Sequence, residues 1–321
     1  MRKAAYRALD FAGTHATRLL AAGVLIGLAI PPLAAALRPL LLPSIVISLV
    51  LALVRLDWSA FGDYARRPAL VGAMLVWFLG VSPVLVWLAL QPLPLPAPLV
   101  TGLVLMAAAS PIVSGAAISL LVGLDAALAV VAIVATTALV PLTLPPLGAA
   151  LLGVALEVDL ATFMLRLALI VGGAFAIAGL ARRFVPETTI ARNARTLDGG
   201  AVIGMVVFAI GIMDGVTAFA LDRPGYVVGA TLAAFAANLA LQAVGAMVWA
   251  RNGMRRALTV GLLTGNRNMG LVLVALGPDA GFELVAFFAL AQIPMYVLPA
   301  LLLPLYRRLA PAPPPPVPGG G

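Results

Sequence analysis

The sequence has 321 residues, of which 63% are hydrophobic and only 10% charged, and this composition excludes a soluble domain because too few polar residues remain to cover its surface. The net charge of +8 does not indicate a nucleic-acid-binding protein, since the arginines stand singly or in small groups between apolar runs. The chain contains no cysteine, which excludes disulfides, thiolate metal sites and cysteine nucleophiles.

Apolar segments long enough to cross a lipid bilayer follow one another along almost the whole chain. The first begins near Leu19 and leads directly into the second, so we interpret it as a spanning helix rather than a cleavable signal peptide. Pro31 and Pro32 are expected to distort it. We predict ten spans, with the bounds Leu19–Leu37, Pro39–Val54, Pro68–Leu90, Ala97–Val122, Ala126–Leu152, Ala161–Ala181, Gly199–Ala220, Gly225–Ala250, Ala257–Leu276 and Ala280–Tyr306.

The distribution of positive charge predicts the orientation of these spans. If the N-terminus is cytoplasmic, sixteen arginines and lysines fall in the inner segments, against only Arg38, Arg166 and Arg223 in the outer ones. We therefore expect a multi-pass protein of the cell (inner) membrane with both termini in the cytoplasm. The Pro- and Gly-rich residues 310–321 are expected to form a disordered tail, with a partner-binding proline segment as the alternative.

Two segments resemble each other at a constant separation of 154 positions, as in Ser110 and Thr264 or Pro145 and Pro299. At this separation, span four aligns in sequence with span nine, and span five aligns with span ten. Since each repeat then holds five spans, the second copy enters the membrane upside down, an arrangement typical of secondary transporters. Chance similarity between apolar segments is the alternative interpretation.

Both spans four and nine contain a polar interruption, which in a membrane must be buried in protein or line a wet cavity. An interrupted helix exposes a half-helix N-terminus, whose free N–H groups and partial positive charge suit an anion or a polar solute. The alternative is a tolerated kink without a ligand, which is harder to accept for span nine because it contains a charge. The candidate substrate-binding residues here are Ser110, Ser114, Thr264, Asn266, Arg267 and Asn268.

A few further polar residues are expected inside spans. Asp214 is the only carboxylate that we place deep in a helix, and it is a candidate proton-coupling group or a counter-ion to Arg267, unless it lies close enough to the surface to stay hydrated. Asn238 and Gln242 share one face of span eight. We expect them to form interhelical hydrogen bonds, with substrate contact as the alternative role. The same two roles are open to Gln292 in span ten.

The chain resembles the bile acid:sodium symporter family. The resemblance is carried by the span-nine residues Thr264–Asn268, by the Asp125 turn before span five and by Arg55-Leu56-Asp57 after span two. It implies an all-α fold in which a core domain of spans three to five and eight to ten, with interrupted spans four and nine crossing, packs on a panel domain of spans one, two, six and seven. Substrate would lie between the two domains.

The same resemblance places the sodium ligands of that family at positions where this chain has other residues. A glutamate is replaced by Leu263, and a glutamine is replaced by Arg267. We therefore expect no cofactor, and we predict that transport is not coupled to sodium through these sites; the Arg267 guanidinium could instead hold the crossing together. The remaining family positions, which carry amides and hydroxyls, correspond to Phe78, Gly115, Ala116, Ala129 and Ile133.

The leading hypothesis is a secondary transporter of a small organic anion, such as a carboxylate or sulfonate. An intramembrane enzyme would need a nucleophile with a base, a metal cluster or a carboxylate pair, and the spans offer none of these. The sequence is also compatible with a proton-coupled or uncoupled carrier of another polar solute, with a proton/cation antiporter and with a non-transporting membrane sensor. The expected partners are the lipid bilayer and the solute, without nucleic acid.

Overall fold

The computed structural model describes residues 2–56, 58, 62, 64, 66–153, 158–277 and 280–310. Regular structure within these ranges is helical, and their one β-type pairing is an isolated antiparallel bridge between Pro111 and Arg267. Two parts of the sequence used above lie outside the described ranges: Asp57 and residues 311–321 of the predicted tail.

The helices follow one another with short connections. A 3₁₀ turn (Arg38–Leu40) joins α3 to α4, and a π-helical turn (Trp77–Val81) joins α5 to α6. In chain order the helices are α1 (Arg2–Thr14), α2 (Ala16–Ala29), α3 (Pro31–Leu37), α4 (Leu41–Arg55), α5 (Pro68–Val76), α6 (Ser82–Leu90), α7 (Ala97–Ala108), α8 (Gly115–Leu121), α9 (Ala126–Leu152), α10 (Leu160–Phe184), α11 (Glu187–Arg192), α12 (Ala194–Gly211), α13 (Val216–Asp222), α14 (Pro224–Val248), α15 (Met254–Gly265), α16 (Met269–Leu276), α17 (Phe282–Leu301) and α18 (Leu303–Leu309).

Within the described residues, seven helical stretches are long and apolar enough to cross a membrane. The prediction of an all-helical membrane protein is thereby confirmed. Predicted spans one, four and nine fall instead on shorter or interrupted helices, namely α2, α7 with α8, and α15 with α16. The seven stretches are Pro31–Arg55, Pro68–Leu90, Ala126–Leu152, Leu160–Phe184, Ala194–Asp222, Pro224–Val248 and Phe282–Leu301.

The first predicted span ends earlier than Leu37. Its helix α2 stops at Ala29, and Ile30 leaves the helical region with φ −126° and ψ 73°. A residue that precedes proline is pushed out of the helical conformation, and Pro31 then begins α3. The distortion expected from the two prolines is therefore a break at Ile30.

Helix α12 is the centre of one group of helices, with α1, α2, α3 and α4 packed against it and α10 packed on α4. Glycines permit this close approach. A Cβ atom at Gly199 would clash with the carbonyl oxygen of Leu9, and one at Gly204 would clash with Ser48 Oγ. The tight packing of small residues is typical of helices that associate within a membrane.

A second group of helices surrounds the two interruptions. In it α14 lies along α15 and α17, α17 contacts α7, and α9 contacts both α7 and α8. Large side chains that are fully buried, including Phe78 and Phe287, fill the space between these helices. Helix α16 connects the two groups, because it also contacts α4 and α10. The interrupted segments therefore lie deep in the protein.

Candidate functional site

The two interruptions, residues 109–114 and 266–268, meet and pair their backbones. The amide of Ile112 donates to the carbonyl of Asn266 (2.9 Å), and the amide of Asn268 donates to the carbonyl of Ser110 (2.8 Å). These two bonds flank the bridge between Pro111 and Arg267. Proline fits there because a residue between the two bonds of an antiparallel pair donates no hydrogen bond to the partner strand. Polar backbone that the helices leave free is thus satisfied inside the protein.

Arg267 lies at this junction with no exposed surface. Its Nε donates to the carbonyl of Thr264 (2.7 Å), and Nη1 donates to the carbonyls of Ala109 (2.9 Å) and Phe78 (3.3 Å). Nη2 donates to Ser82 Oγ (2.7 Å). The guanidinium carbon also lies 5.1 Å from the centre of the Phe78 ring, within range of a cation–π interaction. Every described partner of this charge is therefore a neutral group.

The π-helical turn Trp77–Val81 supplies one of these acceptors. In its register the amide of Ser82 donates to the carbonyl of Trp77, five residues back. The next carbonyl, that of Phe78, would need the amide of Pro83, and proline has none. The carbonyl of Phe78 is thereby left free to accept from Arg267 and from Ser82 Oγ. The sequence-based prediction missed Ser82 and this carbonyl, and the only signal available was a proline inside a span.

A chain of buried amides leads from the second interruption toward α18. Asn238 Nδ2 donates to the carbonyl of Gly265 (2.9 Å), Gln242 Nε2 donates to Asn238 Oδ1, and the Tyr306 hydroxyl donates to Gln242 Oε1. The amide of the Asn266 side chain donates to the carbonyl of Leu262 (2.8 Å). These contacts favour interhelical hydrogen bonding as the role of Asn238 and Gln242, because their amide groups already have protein partners.

The remaining predicted site residues lie in different surroundings. Thr264 is buried, donates to the carbonyl of Val260 and accepts from the indole of Trp77. Asn268 is half-buried and caps α16, since its Oδ1 accepts from the amide of Leu271 (3.2 Å).

Two serines of the first interruption differ in exposure. Ser110 is fully buried, and no described group bonds its hydroxyl, whereas Ser114 is exposed at the start of α8. Gln292 donates to the carbonyl of Phe288 within its own helix and is not bonded to either interruption among the described contacts. The structure thus gathers most of the predicted residues at one junction but leaves Gln292 apart from it.

Asp214 does not lie deep in a continuous helix as predicted. It occupies the turn between α12 and α13, where its Oδ2 accepts from Arg38 Nη1 at 3.0 Å. The side chain of Asp214 keeps 22% of its surface exposed. The expectation that Asp214 is the counter-ion of Arg267 is therefore wrong, because Arg38 is its partner.

Asp125 caps α9, as the turn before span five predicted, by accepting from the amide of Leu128 (2.9 Å). Its other oxygen accepts from the Tyr64 hydroxyl (2.9 Å) and lies 3.8 Å from Arg256. Burial and the hydrogen bond to Asp125 raise the pKa of Tyr64 above its usual value, so the phenol stays protonated and donates. This contact ties the segment before α5 to the beginnings of α9 and α15.

A bundle of apolar helices with paired interruptions is the architecture of multi-pass membrane transporters. The sequence pattern of the sodium bile acid symporter family matches residues 39–219, which is more than half of the chain. The chain belongs to this family, whose members are transporters and not enzymes. The matched residues include the first interruption, whereas Arg267 lies beyond the matched range. No curated protein matches the chain.

The family implies sodium, but the residues present do not fit this ion. A hard cation needs several oxygen ligands. Three of the positions at which the resemblance led us to expect sodium ligands lie close together, because a Cβ atom at Gly115 would lie 2.6 Å from Leu263 Cδ2 and 3.5 Å from Ile133 Cδ1. The side chains of Leu263, Ala129 and Ile133 are all buried and apolar, so they offer a cation no oxygen ligands. The carbonyls of Phe78 and Ala109 are already bonded to Arg267.

Proposed function

We propose that this protein is a secondary transporter that carries a small organic anion by alternating access. The observation that carries the proposal is the buried charge of Arg267, which has only neutral partners among the described residues. A charge inside a membrane protein is costly and usually functional. A carboxylate or sulfonate that reaches the junction would supply the missing negative charge.

We further propose that the chain crosses the membrane ten times, as two inverted repeats of five spans. Three predicted spans are not among the seven long helical stretches of the described residues, namely the one broken before Pro31 and the two that are interrupted. With the separation of 154 positions, Ser110–Ser114 corresponds to Thr264–Asn268, and both segments contain an interruption. The pairing of the two interruptions supports the idea that helices of the two repeats cross there.

We assign the two groups of helices to the panel and core domains of this proposal. The panel, with spans one, two, six and seven, would be the group around α12, and the core, with spans three to five and eight to ten, would hold both interruptions. In this arrangement the junction travels with the core. Asn268 and Ser114, the most accessible polar residues of the interruptions, would face the arriving solute.

Uptake by proteoliposomes tests the proposal. We expect the purified protein to accumulate one or more radiolabelled small carboxylates or sulfonates above the level of protein-free liposomes, with saturation and with competition by the unlabelled anion. A matched set of neutral amides and organic cations of similar size should not compete. A protein that moves none of these solutes would support the non-transporting sensor instead.

A further inference from the structure

The positive charge at the junction belongs to the protein, whereas a symporter takes its positive charge from a dissolved ion. Arg267 reaches the carbonyls of three segments, at Phe78, Ala109 and Thr264, and so performs the bridging that a bound cation would perform. We propose, on the basis of the proposed function, that Arg267 is a tethered cation that replaces a coupling ion, so that the solute anion crosses the membrane without sodium.

The surroundings of the junction support this replacement. The guanidinium engages Ser82 Oγ as well as the three carbonyls, so a dissolved cation would find these four acceptors already bonded. The neighbouring positions hold hydrocarbon, because the buried side chains of Leu263 and Ile133 both lie beside Gly115. Among the described contacts of Arg267 there is no carboxylate, and all four oxygens that it reaches are already bonded.

A tethered cation fixes the charge that each transport cycle moves. The guanidinium returns to its starting position at the end of a cycle, so the net charge transferred is that of the solute alone. A monoanion therefore moves one negative charge per cycle. A membrane potential that is negative inside opposes uptake of such a solute and favours its export, which is the opposite of its effect on a symporter that moves an excess of sodium.

The same arrangement determines how much charge each step of the transport cycle moves across the membrane. When the anion is bound, it neutralises Arg267, and movement of the loaded core transfers little net charge. The empty core carries the uncompensated guanidinium, so the return step is the one that senses the membrane potential. Net uptake, which includes the empty return, then depends on potential, whereas exchange of one anion for another does not.

Proteoliposomes with an imposed potassium diffusion potential test this proposal on the unaltered protein. We expect net anion uptake to be faster with the interior positive than with the interior negative, and to change by less than about twofold when choline replaces sodium, because no sodium travels with the solute. Exchange of labelled for unlabelled anion should be insensitive to the potential.

Each contrary outcome is informative. Saturable stimulation by sodium, with faster uptake when the interior is negative, would overturn the tethered-cation proposal and leave the proposed function intact. Uptake that is insensitive to the potential and follows an imposed pH gradient would also overturn it, in favour of proton coupling. Absence of both uptake and exchange for every anion would instead contradict the proposed function itself.

A pair of variants separates the charge of Arg267 from its contribution to folding. Arg267→Lys keeps the charge, and any residual net uptake should keep the same dependence on potential and the same indifference to sodium. Arg192→Gln, at an exposed position at the end of α11, is the matched control and should transport like the wild type. Sodium stimulation that appears in Arg267→Lys but not in the control would contradict the proposal.

Discussion

At the scale of single residues, the junction depends on the geometry of the Arg267 side chain. Its planar guanidinium places donors in several fixed directions and reaches four acceptors, which a compact ammonium group cannot do. The sequence marks Arg267 as unusual because it is a charge within an apolar span. It does not reveal the partners, because three of them are backbone carbonyls that any residue type could present.

Replacing Arg267 is expected to lower both stability and transport. In Arg267→Gln several buried acceptors lose their donor, and since each such group costs about 1–3 kcal/mol, the free energy of unfolding should fall by on the order of 3 kcal/mol. Arg267→Lys should lose less. Thermal unfolding in detergent measures the effect, with Arg192→Gln as the control. A glutamine variant as stable and as active as the wild type would show that the guanidinium does not hold the junction.

At the scale of helices, the interruptions follow from sequence only in part. The polar residues of spans four and nine predicted where the helices break, and the bounds of α7, α8, α15 and α16 agree. The π-helical turn Trp77–Val81 was not predicted, because a single proline in a long apolar helix is compatible with a simple kink. The predicted end of the first span, at Leu37, lies beyond the observed end of α2 at Ala29, because hydropathy alone does not mark a break between two apolar helices.

The cap at the second interruption offers a test of anion selectivity. Asn268→Ala removes the cap of α16 and should cost about 0.5–2 kcal/mol of stability while retaining transport. Asn268→Asp keeps a capping oxygen but adds a negative charge beside Arg267, so stability should persist while anion uptake falls at least about tenfold through like-charge repulsion. Uptake kinetics and thermal unfolding, measured on both variants, distinguish the two effects. Equal anion uptake by the aspartate and alanine variants would argue against an anionic solute at this position.

The close packing of α14 on α15 depends on a glycine at the contact, because glycine has no side chain. A Cβ atom at Gly261 would lie 2.5 Å from the backbone oxygen of Gln242, so Gly261→Ala should destabilise the protein by about 1–3 kcal/mol through overpacking. Gly229, on α14 itself, has no atom within 4 Å of the corresponding position. Gly229→Ala should therefore be neutral or stabilising by up to ~1 kcal/mol, since alanine favours helix. Thermal unfolding of the two variants in the same detergent measures this contrast, which would disappear if the helices were loosely packed.

At the scale of the whole molecule, composition was sufficient to establish a multi-pass helical membrane protein, because the apolar runs leave no other fold. The pairing of the two interruptions could not be derived from composition, since it joins residues more than 150 positions apart. The family resemblance predicted that spans four and nine cross, but not that their interruptions form backbone hydrogen bonds. The prediction that Asp214 lies deep inside a helix was wrong because α12 ends before this residue. The turn that follows α12 contains Gly215 with φ +78°, and hydropathy does not predict such a turn.

Alternating access requires the two groups of helices to move relative to each other, and the absence of cysteine makes this testable. Ile45 on α4 and Gly270 on α16 lie on opposite sides of the boundary, and a Cβ atom at Gly270 would lie 2.8 Å from Ile45 Cδ1. A variant that combines Ile45→Cys with Gly270→Cys should lose transport on oxidation and regain it on reduction, because a disulfide needs its Cβ atoms to stay within about 4.5 Å. The controls are the reduced double variant and the oxidised Ile45→Cys variant, because Gly270→Cys alone would overpack against Ile45 and Phe208. Full activity in the cross-linked protein would contradict movement at this boundary.

The most direct test of the central claim is solute counterflow in the absence of sodium. Proteoliposomes preloaded with an unlabelled small carboxylate are diluted into sodium-free buffer that contains a trace of the labelled anion. We predict a transient accumulation of label inside the vesicles, because a carrier whose positive charge is Arg267 exchanges anions without any added cation. Accumulation that occurs only when sodium is added would contradict this role of Arg267, and no accumulation under any ionic condition would contradict anion transport altogether.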